Sequence, residues 1–132
     1  MTHTELIKRA ASVINSQKLW DRVSGDVGCA LITDAGTVYT GTNIDVPSQM
    51  GFCAETAAIS AMVTAGEFHI SSIVAVWKNE DSTVHILHPC GRCREFMRQI
   101  NQDNLGANII LAKDRVVKLK ELLPYDGDFS EA

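Results

Sequence analysis

The chain has 132 residues, 45% of them hydrophobic and 21% charged, with a formal net charge of −4. That length suits one domain, residues 1–132, with a real core, and the balance is that of an ordinary globular protein. An acidic chain without a basic stripe argues against nucleic acid as a partner, because phosphate binding leans on Lys and Arg.

No apolar run reaches the length of a membrane span. Met1-Thr2-His3-Thr4-Glu5 lacks the basic-then-apolar form of a signal peptide, so the expected compartment is the cytoplasm. A small, uncharged substrate fits the charge balance best. The four cysteines are not expected to pair as disulfides, since a domain of this size needs no staples and nothing suggests secretion.

Residues 4–19 read as an amphipathic helix with Leu6, Ala10, Val13, Ile14 and Gln17 on one side and Thr4 as its N-cap. Trp20–Gly25 reads as a loop. A hairpin follows, with strands at 26–33 and 37–43 joined through Asp34-Ala35-Gly36. The first of these strands is almost wholly apolar and is expected inside the sheet, covered on both faces; Cys29 within it reads as a small buried hydrophobe. From Ile44 to Phe52 there is no periodicity, and Pro47, Ser48 and Gly51 mark a loop that lines a pocket.

An Ala-rich helix is expected over 53–65, ended by Gly66. Strands follow at 72–77 and 83–87, then a helix from Cys90 or Gly91 to about 99–101. Strands at 108–112 and 116–118 and a helical turn at 119–123 complete the pattern, before Pro124 and an acidic tail. The order predicts an α/β fold: a three-layer α/β/α sandwich around a mixed sheet of about five strands.

The chemistry concentrates in two stretches, Phe52-Cys53-Ala54-Glu55-Thr56 and His88-Pro89-Cys90-Gly91-Arg92-Cys93-Arg94. Cys53, Cys90 and Cys93 fall at the N-termini of two expected helices, where unpaired amide N–H groups and the helix dipole favour the thiolates that bind metal. Three thiolates on one Zn2+ leave its fourth tetrahedral position for water, the arrangement of a catalytic site. Zinc lowers the pKa of that water from ~15.7 to roughly 7–9, depending on its ligands. Glu55, two residues after a ligand, is placed to move protons without binding the metal.

A lone C-x-x-C is usually redox or structural zinc, and a lone C-x-E means little; the signal is their combination with Pro89 in this order. A sealed structural site would need a fourth ligand, for which His85 and His88 are the nearby candidates, whereas His3 and His69 read as surface residues. Three thiolates also give the site a net charge of −1, which positive neighbours would offset. Arg94 is the stronger candidate for hydrogen bonds to the sulfurs; Arg92 reads equally well as a solvated charge on a helix face.

With these residues in hand, the chain resembles the cytidine deaminase family. It is similar to the small homotetrameric branch with three cysteine ligands, and to the blasticidin-S deaminases. The likeness extends to Val27-Gly28-Cys29-Ala30, Gly41-Thr42-Asn43-Ile44-Asp45 and Glu121-Leu122-Leu123-Pro124. The resemblance implies one Zn2+ per chain and a cytosine nucleoside substrate, converted to the uracil nucleoside and ammonia. It implies that Glu55 protonates N3 of the base while hydroxide adds to C4, and that Glu55 then passes a proton to the departing amine. It places Asn43 and Asp45 on the ribose and the Ala54 N–H on the base carbonyl. An aromatic from a neighbouring subunit, Tyr125 or Phe129, would cover the base.

Three departures bear on the substrate. Asp45 stands where the family usually has Glu, Gly25 stands at the family's stacking Phe, and Thr56 follows Cys53-Ala54-Glu55 where Arg is common. A natural product bearing cytosine, such as blasticidin S, is therefore the alternative substrate, and a zinc-stabilised binding module is the alternative outside enzymes.

Overall fold

The computed structural model describes every residue except 128 and 129. Thr2, rather than Thr4, opens the first helix, α1 (His3–Ser12). Its Oγ1 accepts the Glu5 N–H at 3.1 Å, and Glu5 Oε2 accepts the Thr2 N–H at 2.7 Å, a reciprocal capping box. The helix is shorter than its apolar spacing predicts. Beyond it the Asn15 N–H goes to the Gly25 carbonyl at 2.9 Å, and the expected loop carries a small antiparallel hairpin, β1 (Gln17–Leu19) with β2 (Arg22–Ser24).

The remaining strands are β3 (Val27–Thr33), β4 (Val38–Thr42), β5 (Ile70–Lys78), β6 (Val84–Leu87), β7 (Asn108–Ala112) and β8 (Arg115–Lys118). Between them lie α2 (Ala54–Thr64) and α3 (Gly91–Ile100). The strands join in one six-stranded sheet, one more than expected, in the order β4-β3-β5-β7-β8 with β6 also paired to β5. The sheet is mixed because β5 and β7 run parallel while the other pairs are antiparallel.

Two apolar layers sandwich this sheet. On one face Leu6, Ala10 and Ala11 of α1 pack on Ala30, Val74, Val76 and Ile110. On the other, Ala54, Ala58, Ile59 and Met62 of α2 and Cys93 and Met97 of α3 pack on Cys29, Leu31, Ile73 and Ala75. The alternation along β3 and β5 sorts side chains between the layers, and Cys29 sits in the core as expected. Missing side chains let the helices approach. A Cβ on Gly28 would stand 2.1 Å from the Ala10 carbonyl oxygen, and one on Gly41 would stand 2.5 Å from Ala57 Cβ.

Polar clamps then fix the helix ends. Buried Asn104 donates to the Phe68 and Met97 carbonyls at 3.2 and 3.0 Å and accepts the Ile70 N–H at 2.8 Å, tying the end of α3 to the start of β5. Beyond α2, the Glu67 carboxylate accepts the Thr33 hydroxyl at 2.7 Å and the Tyr39 hydroxyl at 2.5 Å. Both helices are thereby aimed with their N-termini at one place. No helix among the described residues is long and apolar enough to cross a membrane.

Candidate active site

Cys53 is the N-cap of α2 and Cys90 the N-cap of α3, both with extended backbone and neither helix capped by a side-chain hydrogen bond. The first amide N–H groups of each helix are left for the sulfurs and for whatever binds there. Cys93, one turn into α3, is buried beneath them. The three Sγ atoms lie within 4.8 Å of one another, with 3.7 Å between Cys53 and Cys90. Sulfurs bound to one tetrahedral ion at Zn–S of ~2.3 Å stand about 3.8 Å apart, so the triad fits zinc with little adjustment.

Among the described residues this cluster holds no histidine. His85 instead stacks on Trp77, and His88 lines the neighbouring cavity. The donor set is that of an ion with one position open.

Glu55, only 6% exposed, lines the same cavity. Burial pushes its carboxyl above the usual range, partly offset by its own backbone N–H. A carboxyl held toward its proton at the foot of a pocket is poised for acid–base work. The thiols are tuned against one another. Burial raises Cys53 and Cys93, whereas at Cys90 the effect of burial is outweighed by the Cys93 amide and the neighbouring sulfurs, and its thiol is lowered.

The cavity encloses about 350 Å³ and is lined by Val27, Asn43, Ile44, Asp45 and Phe52 as well as by Cys53, Ala54, Glu55, Leu87, His88 and Cys90. Its far wall is the irregular segment after β4, closed by paired hydrogen bonds between Ile44 and Phe52 at 3.0 and 2.9 Å. The expected sugar-side residues are both present and both engaged. Asn43 Oδ1 accepts the Val27 N–H at 3.0 Å and its Nδ2 donates to Asp26 at 2.9 Å. The Asp45 backbone is gripped by the Ser24 hydroxyl, and its carboxylate lies 3.3 Å from Arg22 Nη1.

The two arginines beside the ligands diverge. Arg94 donates Nε to the Pro89 carbonyl at 2.8 Å and Nη1 to the Leu122 carbonyl at 3.3 Å, tying the ligand loop to the last helical turn. Its hydrogen bonds go to carbonyls, whereas the Thr56 hydroxyl comes within 3.9 Å of Cys93 Sγ. Arg92 is exposed and faces a shallow surface hollow with Glu95, Phe96 and Gln99. Tyr125 is fully exposed in a left-handed conformation at φ 56°. Phe129 lies outside the described residues.

Sequence reasoning ended a pocket-lining loop at Phe52 but did not name Leu87 for the cavity or Arg22 as the partner of Asp45. Phe52 was visible as the residue before Cys53, and it brings an aromatic ring to a site that lacks one at Gly25.

A three-thiolate metal site with a buried glutamate, opening into a cavity on an α/β/α sheet, is the arrangement of a hydrolytic zinc enzyme. Comparisons with known proteins say which. The sequence model of the "Cytidine and deoxycytidylate deaminase zinc-binding region" matches residues 1–107. A cytidine deaminase of Mycobacterium tuberculosis is 32% identical over 100 residues, 74% of this chain and 69% of that protein. A blasticidin-S deaminase of Bacillus cereus is 29% identical over 127 residues, 91% of this chain and 88% of that protein. The crystal structure of cytidine deaminase from Mycobacterium leprae superposes with a TM-score of 0.76 at 27% identity, covering 94% of this chain and 98% of that one. The Burkholderia pseudomallei enzyme gives 0.75, also at 27% identity, with 95% and 98% covered. The chain belongs to the cytidine and deoxycytidylate deaminase family, hydrolytic enzymes acting on C–N bonds.

Proposed function

We propose that this protein hydrolyses the exocyclic amine of a cytosine nucleoside, giving the uracil nucleoside and ammonia. The observation that carries the reading is the cluster of three sulfurs beside one cavity that Cys53, Cys90 and buried Glu55 line. Cys53, Cys90 and Cys93 would hold Zn2+, which when bound supplies acidified water for addition to C4.

The remaining work belongs to the chain. Glu55, held toward its protonated form by burial, delivers a proton to N3 and makes C4 a competent electrophile. The carboxylate so formed takes a proton from the adding water, passes it to the amine as the C4–N bond breaks, and recovers one from the C4 hydroxyl as the carbonyl forms. General acid–base help of this kind is typically worth 10²–10⁴-fold. The Ala54 N–H, at the uncapped start of α2, is placed for the base carbonyl, and Phe52 offers its ring as a wall. Asn43 and Asp45 face the sugar. Thr56 stabilises the Cys93 thiolate from below, and Arg94 keeps the ligand loop in place.

A second copy would supply the cover for the base. Tyr125 stands clear of its own chain, which suits a residue that works in a neighbour's pocket within a homotetramer. Soluble cytoplasmic nucleoside is the natural substrate pool for such an enzyme.

A second reading is a cytosine-bearing natural product as substrate. It is favoured by the Arg22–Asp45 pair, which occupies the carboxylate expected to bind ribose, and by the extent of the likeness to the Bacillus cereus protein. Offering cytidine, deoxycytidine, 5-substituted and N4-modified cytidines and blasticidin S to the zinc-loaded protein, with absorbance and ammonia followed, separates the two. Glu55→Ala should retain zinc by elemental analysis and lose at least ~10²-fold in turnover. Unchanged turnover in that variant would refute the mechanism.

A further inference from the structure

Glu55 stands between two cavities. Besides the large one at the cysteines, it lines a second of about 10 Å³ deeper in the fold. A space of about 10–15 Å³ is the least that holds one water molecule.

The sheet itself makes this second cavity. One edge of β5 is taken by β3 along its length. The other edge is shared: β7 keeps register with it at Ser72 and Ile73, and β6 takes over from Ala75 to Lys78. Val74 falls at the handover. The cavity is lined by Ile73, Ala75 and Ile109 from the layer under α2 and α3, and by Val74 and Ile110 from the layer under α1. Neighbouring residues of a strand face opposite sides, so a space touched by both sets lies in the plane of the sheet, in the seam between β6 and β7.

Every lining side chain but Glu55 is apolar. The seam is nonetheless polar at its edges, because buried main-chain groups beside an interrupted ladder still need partners. A buried carboxyl is also costly unless its oxygens are hydrogen-bonded. An ionised one has about four acceptor positions. The backbone N–H of Glu55 itself meets one, and the large cavity offers others to the reacting atoms. A water-sized space between a carboxyl and two diverging strands supplies the two to four polar partners that a buried water takes.

We propose that one water molecule resides in this seam and donates a hydrogen bond to the rear of the Glu55 carboxyl. The consequence for turnover rests on the deaminase reading above. Glu55 exchanges protons with N3, the adding water, the amine and the C4 hydroxyl in turn. A carboxyl tethered from behind keeps one orientation throughout, where misplacement by about 1 Å can cost 10²-fold.

Zinc-loaded protein with labelled alanine and isoleucine methyl groups tests this by NMR. Ala75 is 4% and Ile109 1% exposed, so cross-relaxation from water to their methyls reports a molecule inside the cavity rather than bulk solvent. The parent should show it, with the sign of a long-lived water. Val74→Ile and Ala75→Val fill the seam from opposite faces of the sheet. Each should lose the water signal at Ile109 and lower kcat about five- to tenfold, one charge-assisted hydrogen bond's worth, with KM little changed. Ala75→Ser brings a hydroxyl into the seam in place of the water, and should lose the signal while keeping kcat near that of the parent. A general packing defect would lower kcat in all three.

No water signal in the parent overturns the proposal. A signal lost in the filled variants with kcat unchanged overturns it as well, as does an equal loss of kcat in Ala75→Ser. Should both filled variants fail to fold, the parent signal and Ala75→Ser still decide. The NMR result needs no substrate, so the two readings fail separately. Water seen with no cytosine compound turned over sinks the deaminase reading, and turnover without the water sinks the seam site alone.

Discussion

Arg22 reaches from the small hairpin to Asp45 across the rim of the cavity, placing Nη1 3.3 Å from Oδ1. The pair is half exposed on both sides, so its contribution to folding is small, on the order of 0–1 kcal/mol. Its effect falls on binding. Arg22→Ala frees a carboxylate for sugar hydroxyls and should lower KM for cytidine by about two- to fivefold, one hydrogen bond's worth, with kcat little changed. Steady-state kinetics on the two proteins check this, and a raised KM would mean that Arg22 itself contacts the substrate.

Gly41 is the point where β4 meets α2. Gly41→Ala would force a Cβ to 2.5 Å from Ala57 Cβ and 2.6 Å from the Ala58 nitrogen. Overpacking of this kind costs roughly 1–3 kcal/mol. The expected result is a lower midpoint in urea together with a fall in kcat, because α2 carries Cys53 and Glu55 and cannot move without them. Lost stability with kcat intact would show that the helix shifts as a rigid body without disturbing the site.

Zinc should contribute to the fold as well as the reaction. A chelator, or Cys93→Ser, should remove one zinc per chain by elemental analysis. Free zinc at 100 times its Kd adds ~2.7 kcal/mol. Metal removal should therefore lower Tm on the order of 10 °C for a domain of this size. Calorimetry with and without the metal tests it.

Glu67 gives a pH signature. Hydrogen bonds from Tyr39 first and Thr33 next hold its carboxyl below the usual range. A lowered carboxylate stabilises the fold above its unfolded pKa of ~4.3, and that gain is lost as pH falls through the folded value. Glu67→Gln should therefore melt below the parent at pH 7, and the two curves should converge under acid conditions.

How much of this was legible beforehand depends on the kind of signal. The cysteine triad and Glu55 could be read because ligand spacing is local and both helices begin where the motifs do. Strand β7 fell at the expected residues since its apolar run is bounded by Gly106 and Lys113. The hairpin of β1 and β2 could not be seen. Gln17, Lys18 and Leu19 are all exposed, so no alternation marks them, and the apolar spacing of Val13 and Ile14 carried the expected helix too far. Arg22 reaches Asp45 from that same unseen hairpin, and the pairing spans 23 residues, a separation at which sequence pattern says nothing.

Because Cys53 and Cys90 cap different helices, neither helix alone presents more than part of the ligand set. Their 37-residue separation closes only once both helices rest on the sheet. The socket is thus assembled by tertiary docking, and the ion is captured late. Zinc should accordingly slow unfolding far more than it hastens refolding, acting as a latch on a finished structure rather than a seed for it.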